Sequence, residues 1–391
     1  MKERDMRHTG CRFKGRKMKI EYLWKEIEEL GISFFTGVPD SQLKAFTDTL
    51  MEKHGVGEHH VIAANEGAAV GLAAGHYLAT GNPALVYMQN SGIGNAVNPI
   101  CSLVNEKVYA IPVLFLVGWR GEPGVHDEPQ HVYQGEITKE LLDCLGVKNF
   151  TISKDLEPEE LSVFFKEMKK EFQAGHQCAL IVRKGALETG LKMKYENEYP
   201  MSREEVVNFF VDHMQEKDIV VSTTGKLSRE LFEAREHRGQ GHEKDFLTVG
   251  SMGHSSMIAM GIAREKPERR VFCLDGDGAA IMHMGSLAVA GTGHLKNFVH
   301  VLFNNGAHET VGGLPTVSAS LDYPQIARAC GYENIFTAET EEELKEMLEK
   351  IYAAEGSVFA EVKTNLVSRG DLGRPTTTPV QNKEAFMGFL K

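Results

Sequence analysis

Asp275-Gly276-Asp277-Gly278 and, after 25 intervening residues, Asn304-Asn305 are the positions whose types and spacing point most directly to chemistry. Each follows a short apolar run, Val271-Phe272-Cys273-Leu274 before the first and Phe298 to Phe303 before the second. In an open parallel sheet, ligands collect beyond the carboxyl ends of the strands. Glycines at such an end let backbone N–H groups approach a diphosphate, and Asp277 offers the hard oxygen that Mg2+ prefers. Alone, a Gly-Asp-Gly tripeptide is more commonly an ordinary turn. The helix and strand expected between the two motifs give it weight, because they would bring Asp277 and Asn305 to a single ion.

A carboxyl group in the other half of the chain is the next candidate. Glu66, in Ala64-Asn65-Glu66-Gly67-Ala68-Ala69, follows the strand candidate Val61-Ile62 and opens a helix rich in Ala and Gly, Gly67 to Thr80. The positive end of that helix accounts for an acidic residue without any chemistry. Thr223-Thr224-Gly225 ends another strand and reads either as a diphosphate contact or as a plain turn. Met252, in Gly250-Ser251-Met252-Gly253, reads either as a pocket wall or as a core methionine. Loops after first-half strands carry Asp40, Ser41, Asn90, Arg120, His126 and His131, and His308 lies beside the Asn-Asn motif. Of these, Arg120 matches an oxyanion best because a guanidinium presents a fixed fork of donors; its rival reading is a surface pair with Glu122. A histidine in a loop is often only solvated.

The elements that must position these residues alternate along the chain. Helical periodicity from Ile20 to Leu30 precedes a short strand at Ser33-Phe34-Phe35, and Asp40 or Ser41 caps a helix reaching Leu50. Ala84 to Met88, Val113 to Val117 and Ala179 to Val182 are further strands. Lys192 to Pro200 is polar and without apolar period, the expected linker. A second series follows: helix Ser202 to Gln215, strand Ile219 to Ser222, a helix from Lys226, helix Glu341 to Ala353 and strand Val358 to Val362. Such alternation predicts parallel sheets covered by helices on both faces.

Length suits two domains, and 42% hydrophobic with 25% charged residues is an ordinary globular composition. A net charge of -11 argues against a nucleic-acid partner, yet permits an anionic small substrate held by a few local cations. The six cysteines form no CxxC pair, which disfavours a disulfide framework or zinc site and fits a reducing cytoplasm. No apolar run approaches the roughly 20 residues of a membrane span. Residues 1–17 are basic and polar, expected as a disordered extension or as sequence preceding a true start at Met18; a targeting peptide is the weaker reading.

The Gly-Asp-Gly, helix, strand, Asn-Asn arrangement resembles the thiamine diphosphate fingerprint. By that resemblance Asp277, the Asn305 side chain and the Ala307 carbonyl ligate Mg2+. Gly278 and Ala279 hold phosphate oxygens through their N–H groups, with Thr224 nearby. Glu66 is then the carboxyl beside the aminopyrimidine, Met252 supports the cofactor rings and the Gly250 carbonyl meets the amino group. The resemblance implies an α/β fold of two thiamine-diphosphate-binding domains with mainly parallel sheets, pyrimidine-type (18–190) then diphosphate-type (201–391), joined by a linker (191–200) and lacking a middle domain.

From Met18 onward the chain is similar to the family of phosphonopyruvate and sulfopyruvate decarboxylases. The similarity rests on Thr36-Gly37-Val38-Pro39-Asp40-Ser41, Gln89 to Asn95, Gly118 to His131, Asn304 to Glu309 and Gly373 to Pro379. It implies decarboxylation of a small anionic 2-oxo acid through a covalent cofactor adduct and enamine. A single fused chain and the His126-Asp127-Glu128-Pro129-Gln130-His131 stretch favour phosphonopyruvate, in phosphonate biosynthesis, over sulfopyruvate. Asp40, His126, His131 and His308 are acid/base or substrate candidates, Ser41 and Asn90 hydrogen-bond donors, Arg120 the phosphonate cation. Arg374 is a tail residue that would close over the site unless the tail is disordered. A homo-oligomer, dimer or higher, with sites between subunits is also implied. An iron–sulfur oxidoreductase is disfavoured by the missing cysteine clusters. A catalytically degenerate binding or structural protein is disfavoured because it has little use for Glu66.

Overall fold

A computed structural model describes residues 17–391; apart from Lys17, the expected N-terminal extension lies outside them. Six strands form the first sheet: β1 Phe35–Gly37, β2 His60–Ile62, β3 Ala84–Gln89, β4 Val113–Gly118, β5 Lys148–Ile152 and β6 Cys178–Val182. Six more form the second: β7 Ile219–Ser222, β8 Asp245–Leu247, β9 Val271–Gly276, β10 Phe298–Asn304, β11 Asn334–Ala338 and β12 Val358–Lys363. The first sheet runs β2-β1-β3-β4-β6-β5 and the second β8-β7-β9-β10-β12-β11, the same order twice. All pairings within both sheets are parallel. In each, the chain order reverses beside the first strand, which opens a crevice at the carboxyl ends.

Each sheet is buried on both faces, and strand alternation explains how. Leu85 and Tyr87 of β3 enter one core, whereas Ala84, Val86 and Met88 enter the other. In β10, Val299, Val301 and Phe303 face one side and Phe298 and Leu302 the opposite side. Runs of apolar residues are what a doubly covered parallel sheet requires.

Three differences from the expected elements have physical reasons. β1 begins at Phe35 and takes in Thr36 and Gly37, so the strand ends on small and polar residues rather than on Ser33-Phe34. Edge strands β5 and β11 are only partly covered along most of their length, and β8 is a three-residue strand that starts on the buried Asp245, so none of them reads as an apolar run. The C-terminal tail is no loose segment: Pro379–Phe389 is a helix with a Thr378–Gln381 capping box. Its Asn382 accepts from the Leu247 N–H at 3.0 Å and donates to the Asp245 carbonyl at 2.8 Å, satisfying the exposed edge of β8.

His60 is fully buried in β2, with Nδ1 donating to the Gly55 carbonyl at 2.6 Å. Its Nε2 must therefore accept from the Tyr87 hydroxyl, at 2.8 Å, in the neutral ring. Burial lowers its pKa to about 4. The unfolded chain then binds more protons than the folded one between pH 6.5 and 4, so stability present above 6.5 is lost as pH falls through that window. We expect about 3 kcal/mol of acid sensitivity from this site. Urea melts from pH 7 to 4 should show a shallower acid decline in His60→Gln; an unchanged slope would remove His60 from the account.

Candidate active site

A cavity of about 1260 Å³ lies at the carboxyl ends of β1, β3 and β4 of one sheet and β7, β9 and β10 of the other. Glu66 borders it from the first half, and Asp277 and Asn305 border it from the second. Within one chain, residues of both half-sites border the same cavity.

The second half gathers hard oxygen donors at the carboxyl end of its sheet. β9 pairs with β10 through Gly276 and Phe303, so the two strands end together just before Asp277 and Asn305. Asp277 is buried, and the Thr316 hydroxyl donates to its Oδ2 at 2.6 Å. Burial pushes its carboxyl up to about 6 despite that bond, as it must when no positive charge stands beside it. The Asn305 Oδ1 accepts from the Ala307 N–H at 3.0 Å, and its backbone carbonyl accepts from the Asn197 amide at 3.0 Å. Behind it, Glu309 is held by Arg203 and by Lys226, the latter at 2.9 Å.

Space beside these residues is kept open by glycine. A Cβ at Gly278 would lie 3.0 Å from His308 Nδ1 and 3.3 Å from Met252 Cε. His308 Nε2 is buried with no partner among the described residues, and burial lowers the ring's pKa to about 4. Ser251 (φ 52°) and Gly253 (φ 84°) bracket Met252 in a tight turn that delivers it to the cavity wall. Thr224 borders the cavity and donates to the Val249 carbonyl at 2.9 Å, joining the turns that follow β7 and β8. Gly250 and Ala279 also border it. Hard oxygen donors, a buried carboxylate without a counter-charge and a cradle that side chains would fill together suit Mg2+ with a diphosphate.

The first half presents a carboxyl group suited to exchanging a proton. Glu66 begins the helix Glu66–Thr80, whose cap is Asn65 Oδ1 accepting from Ala68 N–H at 2.8 Å. The Asn65 amide also donates to the Met282 carbonyl at 3.2 Å, tying the two halves together beside the cavity. Glu66 Oε2 accepts from Asn95 Nδ2 at 2.7 Å. Burial raises the Glu66 pKa, against the lowering effect of Asn95.

Of the other expected residues, Ser41, Arg120, His131 and His308 border the cavity. Asp40 and Asn90 are buried and do not. The Asp40 carboxylate accepts from Gln42 N–H at 3.0 Å and Gln89 Nε2 at 2.7 Å; Gln89 in turn accepts from the Ser91 hydroxyl at 2.8 Å, and both of these border the cavity. The Asn90 amide is occupied by the Arg120 backbone and Thr138. His126 is exposed and does not border the cavity. Arg120 pairs with Asp127 rather than Glu122, which pairs instead with Arg183 at 2.6 Å. Arg374 borders the cavity and meets Glu128. Asn95, Thr316, Asn197 and Gln89 were not singled out from sequence; only Asn95 and Gln89 fall within a stretch that carried signal.

A buried cluster of Cys273, Asp275 and His300 lies within the second sheet. Ser255, the Gly276 N–H and Tyr332 already engage Asp275 and His300 there.

Residues 20–142 match the thiamine pyrophosphate enzyme N-terminal TPP binding domain, and residues 223–362 match the C-terminal TPP binding domain. A phosphonopyruvate decarboxylase of Streptomyces viridochromogenes is 30% identical over 377 residues, covering 92% of both chains. One of Streptomyces hygroscopicus is 29% identical over 378 residues, 92% of this chain and 91% of its own. A sulfopyruvate decarboxylase of Methanosarcina acetivorans is 25% identical over 384 residues, 93% of this chain and 94% of its own.

Proposed function

We propose that this chain, which belongs to the thiamine pyrophosphate enzyme family, decarboxylates 3-phosphonopyruvate to phosphonoacetaldehyde and carbon dioxide as a step of phosphonate biosynthesis. The observation that carries the reading is the single cavity bordered by Glu66, Asp277, Asn305 and the cation Arg120. The substrate follows from near full-length relatives that bear that activity's name.

Thiamine diphosphate with Mg2+ supplies an electron sink for the pair left behind by departing carbon dioxide. Asp277, the Asn305 amide oxygen and the Ala307 carbonyl hold the metal. Gly278, Ala279 and Thr224 hold the diphosphate, and Met252 and Gly250 line the ring pocket. Glu66, buried and with a raised pKa, holds or releases a proton toward the aminopyrimidine. His131 and His308, both lowered to about 4 by burial, are neutral at pH 7 and so act as hydrogen-bonding partners or proton acceptors rather than as cations. Arg120 and Ser41 face the anionic head of the substrate. Asp40 acts through Gln89 and Ser91.

A homo-oligomer belongs to the same reading, supported by the exposed Leu72 and Leu78 on the helix that begins at Glu66; a monomer mass in sedimentation would remove that part. Among the described residues no helix is long and apolar enough to cross a membrane. A cytoplasmic location belongs to the same reading and rests on the free cysteines Cys101, Cys144, Cys178, Cys273 and Cys330, which suit a reducing compartment.

The test is incubation with thiamine diphosphate, Mg2+ and phosphonopyruvate, with the aldehyde trapped, beside a parallel reaction on sulfopyruvate. A higher kcat/KM on phosphonopyruvate is expected. A higher value on sulfopyruvate would exchange the substrate, and no turnover of either acid would overturn the assignment.

A further inference from the structure

The loop between β4 and the helix Pro129–Cys144 folds back on itself around one side chain, Asp127. Its Oδ2 accepts from Arg120 Nε at 2.7 Å and from the Gly121 N–H at 2.9 Å. Its Oδ1 accepts from Arg120 NH2 at 2.5 Å and from the Glu128 N–H at 2.8 Å. The carboxylate has 8% of its side-chain surface exposed and the guanidinium 19%. Burial alone would raise the Asp127 pKa, yet the bonds from Arg120 and Gly121 bring it down to about 2. The loop has little freedom to rearrange: Gly121 sits at φ 68°, and neither Gly121 nor Gly135 has room for a Cβ against the facing backbone.

Two of the three guanidinium nitrogens are thereby engaged. The third, NH1, lies 3.5 Å from the Ser41 hydroxyl, and both residues border the cavity. Building on the phosphonopyruvate reading, we infer that Asp127 is a positioning residue, which fixes Arg120 so that its NH1 edge and the Ser41 hydroxyl form the subsite for the substrate's phosphonate. A guanidinium held in advance loses less freedom when the anion arrives. Asp127 also offsets the Arg120 charge at longer range, so the subsite grips through directed hydrogen bonds more than through net charge. A lysine at 120, with the charge but without the fork, cannot reproduce it.

The experiment compares wild type, Asp127→Asn, Asp127→Glu and Arg120→Lys in steady-state kinetics on phosphonopyruvate, with cofactor affinity and melting temperature measured on each. Asp127→Asn and Arg120→Lys should raise KM at least tenfold and change kcat less than threefold, with thiamine diphosphate affinity unchanged. Asp127→Glu, which restores the carboxylate, should recover part of the KM. A wild-type KM in Asp127→Asn would overturn the inference. So would a loss of kcat and cofactor affinity in step with a lower melting temperature, since that is what a merely structural role produces. If wild type itself fails to turn over phosphonopyruvate, the substrate reading falls separately. The positioning role is then read by calorimetric binding of phosphonopyruvate, and equal affinity in wild type and Asp127→Asn would end it.

Discussion

Glu66→Gln is expected to lower kcat by two to four orders of magnitude while leaving the dissociation constant for thiamine diphosphate within about threefold, the range that a positioned acid/base supplies. Glutamine keeps the shape of the side chain and can still accept from Asn95 Nδ2, which lies 2.7 Å from Glu66 Oε2. It therefore preserves packing at the start of the helix Glu66–Thr80 while removing the one exchangeable proton. Burial already raises the carboxyl's pKa, so its protonated and ionised forms lie closer in energy than they would in water. Gly92→Ala reaches the same group from the other side. A Cβ there would lie 2.6 Å from the Glu66 carboxyl carbon, so the carboxyl must move. Its kcat should fall to a similar extent, now with weaker cofactor binding because the pocket wall shifts as well. Steady-state rates beside cofactor titrations separate the two variants. Wild-type-like turnover in Glu66→Gln would remove Glu66 from the chemistry.

The parts of the molecule legible in its sequence are those where one short stretch carries the whole signal. β9 and β10 read as apolar runs, broken in β10 by His300, because both faces of each strand are covered, and each ends on a polar motif at the crevice. Glu66, Asp277 and Asn305 were visible for that reason: a strand end, a glycine or a helix start lies next to each. The edge strands β5, β8 and β11 lack such a signal. What remained hidden is set by partners distant in the chain. Asn95 meets Glu66 across 29 positions, Thr316 meets Asp277 across 39 and Asn197 meets Asn305 across 108. No local pattern encodes those distances. Nor does sequence reveal which polar atoms are already engaged. Asn90 looked like a substrate donor, but its amide is occupied by Arg120 and Thr138. The rival reading of Arg120, a surface pair with Glu122, fails because the loop turns it onto Asp127. The repeated strand order is equally invisible to periodicity, since it lies in which strands are neighbours and not in what any strand contains.

Asp277→Ala should separate metal-dependent binding from folding. Asp277 is 3% exposed, and the Thr316 hydroxyl donates to it at 2.6 Å. Without a cation, burial makes the ionised carboxylate costly, and its pKa rises to about 6. Removing it should therefore leave the melting temperature of the cofactor-free protein nearly unchanged, because the lost bond to Thr316 is offset by the relief of that burial. The holoenzyme should behave differently. Removing a group that supports a metal ligand typically weakens a site 10–100-fold, and loss of the ligand itself is expected at or beyond about 100-fold in Mg2+-dependent affinity for thiamine diphosphate. A ligand present at 100 times its dissociation constant stabilises the folded state by about 2.7 kcal/mol. Nearly all of that gain should vanish in Asp277→Ala at the same cofactor concentration. The measurement is a pair of thermal melts for each protein, with and without cofactor and Mg2+, beside a titration of affinity at fixed Mg2+. An undiminished melting shift would take Asp277 out of the metal site, whereas a large loss of stability in the cofactor-free protein would make it a structural carboxylate.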